Sequence, residues 1–282
     1  MTSWADPALE QQLLSLRVDR QEHIAEVTLL GPGRGNAMGP DFWRELPLVF
    51  RELDSDPEVR AVVLTGSGDN FSYGLDLPAM MGAWEEMLAP GATAEPRTRL
   101  LRVIRELQAA VSAVADCRTP VVAAVHGWCV GGGVDLIAAA DVRVASTDAR
   151  FSVREVRVAV VADLGSLQRL AGIVGEGHLR ELALTGGDID AARAERIGLV
   201  NDVHPDGAAA LDAARALARR IADNPPLVVR GVKEVLDLDR GPRVEAGLRH
   251  VSTWNAAFLS SDDLAEAVRA FGERRAPRFT GR

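Results

Sequence analysis

Residues 120–146 read PVVAAVHGWCVGGGVDLIAAADVRVAS. The first eleven form an apolar, β-branched run that reads as a buried strand. The run ends at Gly131-Gly132-Gly133. VDLIAAAD then reads as a helix and VRVAS as a further short strand. Strand, glycine turn, helix and strand in that order predict an α/β core with buried strands. Three glycines before a helix leave its first backbone N–H groups bare, which is a place to bind negative charge. The same glycines also read as a tight turn with close packing. GxxxxGK[ST] is absent, so this is no P-loop, and GPGRGN at 31–36 matches GxGxxG poorly.

Outward from this stretch the pattern stays α/β. LLSLRVDR and HIAEVTLL read as a strand pair turning near 19–22, and RAVVLTG as a buried strand. DFWRELPLVFRELDSD has helical periodicity, weakened by Pro47. Residues 78–99 are poorly patterned and read as a mobile segment leading into the helix RLLRVIRELQAAVSAVAD. RFSV, EGHLRELALTG, AARAERIG and LVNDVH continue as strand, helix, helix and strand. From about residue 207 the pattern is wholly helical. The expected division is therefore a core over 10–206 and a helical C-terminal subdomain over 207–282.

The chain has 282 residues, 47% hydrophobic and 26% charged, with net charge −8. That is an ordinary globular composition. A nucleic-acid footprint would need the opposite sign. No apolar run reaches the ~18 residues of a membrane span. Cys117, Cys129 and the five histidines show no metal-ligand spacing, so no metal site is expected. The two cysteines read as buried thiols in a reducing compartment. The N-terminus has no signal-peptide pattern and RFTGR is no SKL-type address. The sequence therefore predicts a cytoplasmic protein.

Three acids interrupt the least polar third of the chain: Asp135 just past the glycines, then Glu155 and Asp163 in REVRVAVVADLG, 154–165, a run that reads as buried. Each has an ordinary explanation. Asp135 suits a first helical turn, worth about 0.3–1 kcal/mol. Glu155 has Arg154 and Arg157 beside it, and Asp163 can cap the turn that begins at GSLQRL. Together they suggest more. Buried carboxylates are costly unless used or paired, and an apolar setting raises their pKa toward neutrality, which suits proton transfer.

NAM at 36–38, RAVVLTGSGDNFSYGLDL at 60–77, the 120–146 stretch, Gln168-Arg169-Leu170 and ERIGLVNDV at 195–203 are similar, in order and spacing, to the crotonase (enoyl-CoA hydratase/isomerase) superfamily. The resemblance covers nearly the whole chain. It implies the ClpP/crotonase-like spiral of ββα units with a helical C-terminal subdomain, a trimer or a dimer of trimers, and an acyl-CoA substrate with no separate cofactor. It also implies an oxyanion hole made by the backbone N–H groups of Leu75 and Gly132. Tyr73, Gly74, Leu75, Asp76 and Leu77 would line the acyl-CoA path. Asp76 and His126 are expected to be structural, and Arg34 reads either as a CoA phosphate contact or as a solvated surface residue.

The carboxylates sort the subfamilies. Hydratases resemble one another in carrying Glu at the positions of Asp135 and Glu155, with a Gly-rich loop where VADLG stands. The Asp135, Glu155 and Asp163 set, in VREV and ADLGSLQRL, is similar to the Δ3,5-Δ2,4-dienoyl-CoA isomerases. That resemblance implies proton transfer at two ends of a conjugated chain, with Asp163 expected at C2, Glu155 at C6 and Asp135 close to Glu155. The alternatives are a 2-enoyl-CoA hydratase, in which Asp163 merely caps 166–170 and faces away from the cleft, and a non-catalytic homologue that binds RNA or protein. A Ser-His-Asp hydrolase finds no suitable serine turn.

Overall fold

The computed structural model describes residues 13–31, 35–89 and 91–282. The readings made for residues 1–12 lie outside the described residues. Strands β1 (Leu16–Gln21) and β2 (Ile24–Leu29) form a hairpin turning at Glu22–His23. Strands β3 (Ala61–Gly66), β4 (Val121–Val125), β6 (Val142–Ser146) and β9 (Asp202–His204) extend it in parallel, giving the order β1-β2-β3-β4-β6-β9. A second sheet joins β5 (Trp128–Val130), β7 (Arg150–Ser152) and β8 (Ile189–Asp190).

Strands β3 and β4 are buried on both faces, which is why their sequences are continuous rather than alternating apolar runs. Their period of two still sorts the side chains. Val62, Leu64, Val121, Ala123 and Val125 join the main core. Ala61, Val63, Val122 and Ala124 meet helix Gly207–Ala222 on the other side, through its stripe Ala214, Ala218 and Ala222. Alanine at that spacing lets the helix lie close on the sheet. The first helix of the 207–282 segment thus belongs to the sheet layer. Helices Pro226–Asp237, Arg240–Phe258 and Asp262–Gly272 follow it.

Three sequence readings change. PVVAAVHGWCV is two strands in different sheets. The chain turns at Gly127, whose φ is +54° and whose missing Cβ would stand 2.1 Å from the Asp69 carbonyl oxygen, a conformation and a space that only glycine accepts. Residues 77–84 are a helix, N-capped by Asp76 and anchored by buried Met80 and Trp84. The run 154–165, read as buried, is not buried throughout: after a single 3₁₀ turn, Glu155–Val158, it continues irregularly, and Val156 and Val161 are exposed. Pro47, by contrast, lies inside helix Pro40–Ser55 without ending it, because Phe42, Leu46, Phe50 and Leu53 hold that helix to the core.

Helix Gly132–Ala139 is buried at every residue. Its C-terminal end needs partners for orphan carbonyls. Arg143, 6% exposed, supplies them: Nη1 donates to the Ala140 oxygen at 2.7 Å and the Ile137 oxygen at 3.4 Å, and Nε donates to Leu199 oxygen at 2.8 Å. A cation here also complements the helix dipole. Arg143→Leu strands these acceptors in the core and is expected to lower unfolding stability by about 3 kcal/mol, measured by urea titration; a change under about 1 kcal/mol would refute that role.

Candidate active site

The site forms where two separate stretches of backbone meet. The Met38 N–H donates to the Gly74 oxygen at 2.8 Å and the Asp76 N–H to Met38 oxygen at 3.1 Å. The Leu75 N–H lies between them and, by strand alternation, points the opposite way. Gly74 has φ +79°, and a Cβ on it would stand 2.6 Å from the Val130 oxygen and 2.9 Å from the Gly132 nitrogen. A Cβ on Gly132 would stand 3.6 Å from the Leu75 nitrogen. The glycines therefore bring the Leu75 and Gly132 N–H groups side by side, the latter on the first residue of helix Gly132–Ala139. Among the described residues neither N–H has a protein acceptor. Two converging free donors at a helix start suit a developing oxyanion.

All three acids gather beside this pair. Glu155 lies against Gly131: a Cβ there would be 3.3 Å from Glu155 Oε1. Its Oε2 is buried and has no hydrogen-bond partner. Asp135 is 1% exposed and accepts the Ser166 N–H at 2.5 Å. Asp163 Oδ2 accepts from Asn255 Nδ2 at 2.7 Å. Burial pushes each carboxyl up. For Glu155 the neighbouring Asp135 and Asp163 push further; for Asp135 the Ser166 bond and the Arg169 charge oppose burial. Asp163 is raised to about 7 by burial, against the Asn255 bond.

The capping role open to Asp163 as its ordinary explanation falls to Asp135, which holds the first N–H of helix Ser166–Arg169. Asp163 instead lines a cavity of about 340 Å³ with Leu75, Leu77, Trp84, Ile104, Leu164 and Leu264. It is the one ionisable group among the described residues of that wall. Helix Leu77–Trp84 and helix Asp262–Gly272 both contribute to this chamber. Glu155 therefore lies beside the glycine turn, and Asp163 lies in the wall of the apolar chamber.

Leu75 and Leu77 line the chamber. Tyr73 packs over Gly35 and stacks on Trp128 at 6.5 Å, Gly74 forms the close approach, and Asp76 Oδ1 accepts the Ala79 N–H at 3.2 Å. His126 Nε2 bonds the Gly68 oxygen at 2.9 Å. Cys117 and Cys129 are buried free thiols. Arg34 lies outside the described residues. Sequence reasoning missed Gln108 and Asn255. Both are amides on core-facing helical stripes, Leu100, Ile104, Leu107 and Gln108, and Leu248, Val251, Ser252 and Asn255; a polar residue in such a stripe was the available signal.

The family model described as Enoyl-CoA hydratase/isomerase matches residues 19–282. The chain is 41% identical over 274 residues to the mitochondrial Delta(3,5)-Delta(2,4)-dienoyl-CoA isomerase of Dictyostelium discoideum, covering 96% of this chain and 92% of that one. It is 40% identical over 264 residues to the peroxisomal enzyme of that name from Arabidopsis thaliana, covering 94% and 95%. The crystal structure of an enoyl-CoA hydratase/isomerase from Pseudoalteromonas atlantica superposes with a TM-score of 0.82 at 27% identity, covering 95% and 100%. The chain belongs to the enoyl-CoA hydratase/isomerase family and has the crotonase fold. The expectation of a cytoplasmic protein is corrected by these relatives, which are mitochondrial or peroxisomal.

The raised carboxyls make a stability prediction. Asp163 holds its proton more tightly folded than unfolded, so between about pH 4 and pH 7 the folded state binds more protons and stability falls as pH rises. Asp163→Asn removes that cost while keeping the shape. The variant is expected to be more stable than the parent at pH 8, by on the order of a few kcal/mol, with the gap closing toward pH 5. Thermal melts across this range check it, and a pH-independent gap contradicts it.

Proposed function

We propose that this family member isomerises a 3,5-dienoyl-CoA to the 2,4-dienoyl-CoA by proton transfer between two carboxylates. The isomerase activity itself agrees with relatives of that name at about 40% identity over nearly the full length. The observation that carries the mechanism is Asp163, one carboxyl alone in an apolar wall that begins at Leu75. An acyl chain whose thioester oxygen sits at the Leu75 and Gly132 N–H groups would run past it.

Glu155 takes a C2 proton. The electron pair spreads over the thioester oxygen, C2, C4 and C6, and the two N–H groups stabilise the oxygen. Losing one such donor costs about 3–4 kcal/mol in comparable sites. Protonated Asp163 then delivers its proton at C6, leaving double bonds at C2 and C4. Glu155 ends protonated and Asp163 ionised, and exchange with water restores both. Burial raises Glu155 to about 8 and Asp163 to about 7, so both exchange protons near neutral pH, and the reactive form is the one with Glu155 ionised and the proton on Asp163. Asp135, held by Ser166, fixes the loop and adds the like charge that raises Glu155. Coenzyme A enters as part of the substrate, and no further cofactor takes part.

The hydratase reading needs Asp163 turned into a cap, and Asp135 occupies that place. For assembly, helix Pro226–Asp237 exposes Leu227, Val232, Val235 and Leu236, from 54% to 83% each. So large an apolar face supports self-association as a trimer or hexamer. Sedimentation is expected to show that species, and a monomer at micromolar concentration would refute it.

The test of activity follows diene absorbance from a 3,5-dienoyl-CoA, with a 2-enoyl-CoA alongside. Asp163→Asn is expected to lower diene formation about 10²–10⁴-fold. Undiminished diene formation in the variant, or enoyl hydration with no diene at all, would overturn the reading.

A further inference from the structure

Asp163 sits in a loop held by two buried amides from distant helices. Asn255, 2% exposed on helix Arg240–Phe258, donates one Nδ2 proton to the Val161 oxygen at 2.8 Å and the other to Asp163 Oδ2 at 2.7 Å. Gln108, 6% exposed on helix Ala94–Ala115, donates from Nε2 to the Asp163 backbone oxygen at 2.7 Å and to the Leu248 oxygen at 3.1 Å. Each amide commits both of its protons. The result is a closed ring: one helix holds the loop and the second helix, and the second helix holds the loop.

The chemistry of the contact at Oδ2 is one-sided. An amide nitrogen donates and cannot accept. Oδ2 therefore stays an acceptor whether Asp163 is charged or neutral, and the proton of the neutral acid sits on Oδ1. From this geometry we infer that Asn255 is a positioning residue for the reaction: it places the Asp163 proton on Oδ1 and holds that oxygen over the far end of the conjugated chain, with Gln108 fixing the backbone beneath. The inference rests on the isomerase reading above and deepens it. The same bond stabilises the carboxylate left when the proton departs, which makes Asp163 a better donor.

A consequence concerns where the extended enolate is protonated. C2, C4 and C6 all carry charge. Protonation at C2 returns substrate, at C4 gives a 2,5-diene, and at C6 gives the 2,4-diene. A loosened Asp163 lets C2 return and C4 capture compete. Removal of the C2 proton, by contrast, depends on Glu155 and the N–H pair, which Asn255 does not touch.

The experiment follows two rates in deuterated water with a 3,5-dienoyl-CoA: deuterium uptake at C2 of recovered substrate, by mass spectrometry, and 2,4-diene formation, by absorbance. Wild-type protein is measured first; absence of diene there would sink the isomerase reading itself. In Asn255→Leu, C2 exchange is expected to stay within about threefold of wild type while 2,4-diene formation falls about tenfold or more, with 2,5-diene appearing, a shift of about 1.4 kcal/mol in partition. Asn255→Ala, smaller and likewise without the donor, is expected to uncouple the two rates in the same way and serves if the leucine variant does not fold. An active wild type whose variants lose exchange and isomerisation in parallel, or lose neither, would overturn the positioning role and leave the isomerase reading standing.

Discussion

Between Gly74 and Gly132 there is room for hydrogen and nothing larger. A Cβ on the first would stand 2.9 Å from the nitrogen of the second, inside any tolerable contact. Much of the site follows from that approach. It brings the Leu75 N–H from one crossover beside the N-terminus of a helix from another. It requires Gly131 at φ +53° to turn the chain into that helix, which opens the space that the Glu155 carboxyl fills. It requires the helix itself to be buried, which in turn requires Arg143 at its other end.

Burial has a cost that the site turns to use. Burial raises Asp135, Glu155 and Asp163; the Asp135 charge raises the other two further, and Asp163 adds to Glu155. Each has a different partner: a backbone N–H for Asp135, a side-chain amide for Asp163, and none for Glu155 Oε2. Three acids of similar chemistry are thereby made unlike. A structure optimised for stability alone would not keep an unpartnered carboxyl oxygen such as Glu155 Oε2 in its interior.

The glycine turn, the flanking strands and the three acids were legible in the sequence because each has a local signature. The roles of the acids were less so. Asp163 stands close before helix Ser166–Arg169 and looks like its cap, yet the cap comes from Asp135, 31 residues away. That Glu155 meets Gly131 while Asp163 lines the chamber is a tertiary fact. The run 154–165 reads as buried because valines dominate it, yet Val156 and Val161 are exposed while Val158 and Val160 line that cavity. Gln108 and Asn255 act across 55 and 92 residues of chain, and only their polarity on apolar stripes marks them.

The central claim is that two carboxylates, not one, move the protons. Substrate carrying two deuterium atoms at C2 would be turned over once in ordinary water and the product examined by mass spectrometry and NMR. The account predicts that the deuterium removed from C2 goes to solvent and that the new hydrogen at C6 comes from solvent by way of Asp163. Transfer of the C2 deuterium intact to C6 would mean that one group carries the proton along the chain, and would contradict the account.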